Sequence, residues 1–154
     1  MHKKFAAAAI VALVGFSSQG FAADASAVFA GTVASTCVLT VGTPGIITAN
    51  AGFTQLDSDN AGGAESTVAA LATGAGFKIS ALAPAAFTAG SSTNVTFAAD
   101  YSLSGATVAT NVAGATTTTL GSGLSTVSVG LEATKSSGTF AADVYAAAVT
   151  VRCE

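Results

Sequence analysis

Apolar and polar residues alternate with a period of two along most of this chain, the mark of strands with one face buried. Near the end, Tyr145, Ala147, Val149, Val151 and Cys153 form one set, and Ala146, Ala148, Thr150 and Arg152 the other. Val95, Phe97, Ala99, Tyr101 and Leu103 oppose Asn94, Thr96, Ala98, Asp100 and Ser102. Val127, Val129, Leu131 and Ala133 share a face, as do Phe77, Ile79 and Ala81. Near the start, Phe29, Gly31, Val33, Ser35, Cys37, Leu39 and Val41 fall together if one strand runs unbroken through them. Shorter strands are predicted over 46–49, 52–56, 66–72, 107–112 and 116–120. Runs such as GTPG, DSDNAGG, AGSSTN, GSG and KSSG separate them as turns. Only TVAALATGAG has any helical character, and its Thr and Gly content argues against it. Many short strands without an amphipathic helix predict an all-β sandwich.

One segment stands apart. Lys3 and Lys4 precede an apolar run from Phe5 to Phe16, and Gly20 and Ala22 supply small residues at −3 and −1. This is the order of a secretory signal peptide, 1–22, cleaved after Ala22. The run is short of the ~20 residues a membrane span needs. The remaining domain, 23–154, is of single-domain size.

Removing that segment leaves three cations (Lys78, Lys135, Arg152) against eight carboxylates. No basic patch invites nucleic acid. Charged residues are 8% of the chain, a sparse surface that suits packing against copies of itself. Alanine is so common that the 51% hydrophobic content overstates the core, which gains from a covalent staple.

Export puts Cys37 and Cys153 in an oxidising compartment. They form one internal bridge, tying the last strand to the first, or a pair of intersubunit bonds. The only histidine, His2, lies in the predicted signal. The exported chain therefore has no histidine for a Ser–His–Asp triad, a thiol nucleophile or a His-based zinc site. Asp57, Asp59 and Gly62 faintly resemble a calcium loop, but Ala61 and Val68 stand at the fifth and twelfth positions. The stretch reads as a solvated turn. Asn94-Val95-Thr96 fits the glycosylation pattern, which is common by chance. These features predict no enzyme, cofactor or metal.

FAGTVASTC, from Phe29 to Cys37, resembles the first strand of chaperone–usher pilus subunits. GTFAADVYAAAVTVRC, from Gly138 to Cys153, resembles their closing segment, and ANAGFTQLD is similar to spore-coat-U-like relatives. The resemblance implies an immunoglobulin-like β-sandwich that lacks its final strand. It also implies a structural subunit of a surface fibre or coat, completed by a donor strand. The partners implied are other copies of the chain, a periplasmic chaperone and an outer-membrane usher. The protein would pass through the periplasm to the cell surface. The groove is expected between residues 29–33 and 145–151, making Val28, Phe29, Gly31, Val33, Tyr145, Val149 and Val151 candidates for donor or groove.

Residues 23–28 alone are too few to fill such a groove. Either 23–34 is itself the donor and the first core strand starts near Cys37, or the chain is no mid-fibre subunit. A bridge to the last strand would pin one end of the groove, unlike the pairing common in the family. The alternative is a self-contained secreted adhesin or binding module. An outer-membrane barrel lacks support, because the chain has no aromatic girdles.

Overall fold

A computed structural model describes residues 23–154. The segment read as a signal peptide lies outside the described residues. The chain divides into two units at Gly31/Thr32. The described part of the first, residues 23–31, contains no strand, and the strands belong to the second, Thr32–Glu154.

Among the described residues ten strands form two antiparallel sheets: β1 (Cys37–Val41), β2 (Thr48–Ala49), β3 (Gln55–Asp57), β4 (Ser66–Ala72), β5 (Lys78–Leu82), β6 (Val95–Gly105), β7 (Ala109–Ala113), β8 (Thr118–Thr119), β9 (Gly123–Lys135) and β10 (Thr150–Cys153). No described residue is helical, and TVAALATGAG supplies β4. The long β9 is the centre of the larger sheet. β6 pairs along one side of it and carries β7 outward. β4 and β3 pair end to end along its other side, followed by β1 and β2.

β3 and β4 are one line of strand broken by an excursion. Asp57 faces Glu132 and Ser66 faces Val129, so the residues between Asp57 and Ser66 loop out over a short stretch of β9. The buried Ser58 closes the break. Its N–H donates to the Leu131 carbonyl, and its hydroxyl accepts from the Leu131 N–H, both at 3.1 Å. Gly63 sits so near the Ser58 carbonyl that a Cβ would clash there.

The smaller sheet has the order β10–β5–β8. Its Ile79 and Ala81 share one apolar core with Val68, Ala70 and Ala72 of β4, Tyr101 and Leu103 of β6, and Val127 and Val129 of β9. Two antiparallel sheets around a common core are consistent with a β-sandwich. Alanines at the core positions of β4 let the sheets approach while burying little area per residue. A second cluster is aromatic: Phe87 contacts Phe97 at 4.8 Å and Tyr145 at 5.1 Å between ring centroids, and Phe140 meets Tyr145 at 5.2 Å. Such rings add about 0.5–1.5 kcal/mol per pair beyond their burial.

Tyr101 is fully buried, and its hydroxyl joins the two sheets. It lies 2.9 Å from the Thr116 carbonyl, 3.2 Å from the Ile79 carbonyl and 2.7 Å from the Thr118 hydroxyl. Removing it strands buried acceptors, which costs about 1–3 kcal/mol. Tyr101→Phe is therefore expected to lower unfolding free energy by that amount in urea titration. An unchanged midpoint would contradict this account of the core.

Two strands are shorter than their alternation predicts. The first begins at Cys37, not Phe29, because β4 ends at Ala72 and its ladder closes with Thr73 N–H donating to Thr36 O. Residues 29–35 have no ladder to join. The last is paired only from Thr150, because Pro84 follows its partner β5 and has no N–H to continue the ladder. Upstream, Ala146 makes one bridge with Ala89.

Candidate functional site

The unpaired half of that last strand borders an open groove. Its hydrogen bonds reveal which way each residue points. Glu154 and Lys78 exchange both backbone bonds, and Ala146 exchanges bonds with Ala89. Even-numbered residues thus face β5 and Ala89. In an antiparallel ladder the residues between them direct N–H and C=O to the opposite edge. Tyr145, Ala147, Val149, Val151 and Cys153 therefore present an unpaired backbone edge, with their side chains half-buried toward the core.

A second edge faces it from the larger sheet. Thr36 and Gly42 bond toward β4, which leaves Cys37, Leu39 and Val41 directed outward. Residues 42–47 continue this wall. Thr43 N–H donates to Thr67 Oγ1 at 2.9 Å, and Ile46 and Ala64 exchange bonds at 2.7 and 2.8 Å. The chain crosses so close to β4 here that a Cβ on Gly45 would lie 3.0 Å from Ser66 N.

The groove between the two edges encloses about 500 Å³. Its walls include Val41, Ile47, Tyr145, Val149 and Val151, and its floor is Val68, Val129 and Leu131 of the core. Past Tyr145 a further hollow of about 400 Å³ is lined by Ala49, Phe53, Leu56 and Phe140. At the opposite end, Cys37 and Cys153 form a disulfide with Cα atoms 6.4 Å apart. The bridge is internal, and it joins the two edges of the groove directly.

Of the candidate residues, Tyr145, Val149 and Val151 line the groove. Residues 41–47 supply the wall on the larger sheet's side, and Val33 is not part of it; Val28, Phe29 and Gly31 belong to the first unit. Val28, Phe29 and Val33 are 90%, 92% and 82% exposed. Sequence reasoning missed Val41, Ile46 and Ile47, because the GTPG between them reads as an ordinary turn. The available signal was that Val41 closes one alternating run and Ile46 opens the next predicted strand, with only that turn between them. Asp57 of the faint calcium loop is engaged locally, its carboxylate accepting from Asp59 N–H at 2.9 Å and Gln55 Nε2 at 3.3 Å.

Carboxylates gather elsewhere on the larger sheet and its excursion. Burial, then the charges of Asp59 and Asp100, raise the Glu65 pKa. Burial, then Asp59 and Asp57, raise that of Asp100. A raised carboxyl binds its proton more tightly in the folded than in the unfolded chain, so folding is favoured as the pH falls. Stability is expected to rise from neutral pH toward the ordinary carboxylate range near about 4. The melting temperature should be higher at pH 5 than at pH 7.5, and Glu65→Gln with Asp100→Asn should narrow that difference.

The disulfide indicates an oxidising environment, extracellular or periplasmic. No helix among the described residues is long and apolar enough to cross a membrane. No protein-family model, curated protein or solved structure matches the chain.

Proposed function

We propose that this protein is a structural subunit of a surface fibre or coat, and that the groove accepts a β-strand from a second copy. The observation that carries the reading is the groove itself. Two backbone edges face each other across a groove of about 500 Å³ floored by Val68, Val129 and Leu131. An open edge of this kind aggregates unless something covers it. Strand addition covers it: main-chain hydrogen bonds supply affinity, and alternate side chains fill the floor.

The strand order supports an immunoglobulin-like sandwich. Reading β1, β4, β5, β6, β9 and β10 as A to F, the pairs A–B, B–E and E–D form one sheet and C–F the other. An immunoglobulin constant-type sandwich adds a seventh strand, G, beside F. That place is the groove.

The proposed donor is residues 23–33; Ala34 and Thr36 are hydrogen-bonded to Thr73 of the subunit's own fold. Phe29, Gly31 and Val33 recur at strand spacing, no charge falls between Asp24 and Cys37, and the large side chains are exposed. Since the first core strand starts at Cys37, this segment is free to serve. A periplasmic chaperone that lends a strand before assembly, and an outer-membrane usher, are the partners such a subunit needs. Sedimentation velocity of the purified protein should resolve a series of oligomers at micromolar concentration. A single monomeric species at every concentration would contradict the proposal and favour a self-contained secreted adhesin or binding module.

A further inference from the structure

Resting on the donor-strand reading above, we propose that the Cys37–Cys153 disulfide is the end stop of the groove, fixing how far a donor inserts and which way it runs. Strands in a sheet lie ~4.7–4.9 Å apart, so two edges that share an inserted strand must stand about 9.5 Å apart. At the disulfide the two edges are 6.4 Å apart between Cα atoms. No strand passes between them there. The outward-facing N–H of Cys153 therefore stays beyond reach of any donor, although it belongs to the same edge as those of Ala147 and Val149.

This stop shortens the groove. Only residues 145–151 remain to pair with a donor, about seven residues or ~23 Å of strand. The 27–33 stretch matches that length and carries Phe29, Gly31 and Val33 on one face. The segment 23–33 is longer than the groove requires.

Direction follows from the same closure. The donor's C-terminal end is tethered through Thr36 to the folded neighbour at Cys37, and a folded body cannot be drawn past a closed end. The N-terminal end of the paired 27–33 stretch thus lies against the disulfide, where residues 23–26 turn out of the groove, and the tethered end leaves between Ile47 and Tyr145. The donor runs antiparallel to β10. Each subunit's own donor departs beside Cys37, at the closed end, while it accepts a neighbour at the open end. Such a heterologous contact does not close on itself and propagates as a filament.

The test uses the full-length exported chain carrying Phe29→Asp, so that its own segment does not compete, with a synthetic peptide of residues 23–33 as probe. Backbone amide exchange is followed by NMR in the disulfide-bonded protein. The expected result is exchange slowed at least about tenfold at Ala147 and Val149, with no change at Cys153. A peptide lengthened by four alanines at its N-terminus should give the same pattern. In the double variant Cys37→Ser/Cys153→Ser, the longer peptide should also protect the backbone amide at position 153. Protection of Cys153 in the bonded protein by either peptide would overturn the end stop and leave the donor reading standing. So would an unchanged pattern in a folded double variant. No protection at Ala147 or Val149 would overturn the donor reading, and the end stop with it.

Discussion

Phe29→Asp is expected to abolish assembly while leaving the folded domain unchanged. Phe29 lies outside every strand, in the unit that precedes the sheets, and its ring is 92% exposed. In the proposed polymer its ring lies on the apolar floor of a neighbour's groove. Burying a Phe there contributes about 1.5–3 kcal/mol. An aspartate in its place loses that term and adds a buried carboxylate with no cation near the floor, which costs several kcal/mol more. Every 1.4 kcal/mol is about tenfold in affinity, so binding weakens by at least about a thousandfold. Circular dichroism should give the parent melting temperature, and light scattering should give a monomer. Loss of the fold would mean that Phe29 belongs to the subunit's own core.

The second large effect is on stability. Cys37 and Cys153 are separated by 116 positions, so their bond constrains nearly the whole unfolded domain. In the chain-entropy model a loop of this order contributes about 4.7 kcal/mol. The alanine-rich core has little surplus to offset its loss. Cys37→Ser/Cys153→Ser should lower the melting temperature by roughly 10–20 °C, given ~2–6 °C per kcal/mol for domains of this size. The same drop should follow reduction of the parent protein. An unchanged melting temperature would contradict the internal bridge as a source of stability.

Much of this fold is legible in the sequence because period-two alternation is strong wherever a strand has one buried face. The strands around Ile79, Tyr101 and Val129 fall where alternation places them, and Cys37 and Cys153 meet as two inward-facing residues of edge strands. Alternation is blind to partners, however. Phe29, Gly31 and Val33 alternate as well as any core strand, yet β4 ends before it can pair with them. The same blindness hid the near wall of the groove. Val41, Ile46 and Ile47 are split by Gly42, Pro44 and Gly45, and the two glycines let the chain cross close over β4. The break between β3 and β4 has no periodic signature either. It rests on Ser58, a small polar residue whose buried bonds to Leu131 depend on a strand far away in sequence.

The most direct test of strand-exchange assembly is an SDS gel of the purified protein run without boiling, with and without reductant. The expected result is a ladder that persists in SDS and in reductant and collapses to monomer on boiling, because a donor laid along two backbone edges is held by many cooperative bonds. A single monomer band in every lane would contradict strand exchange, and the groove would then belong to a domain that does not polymerise.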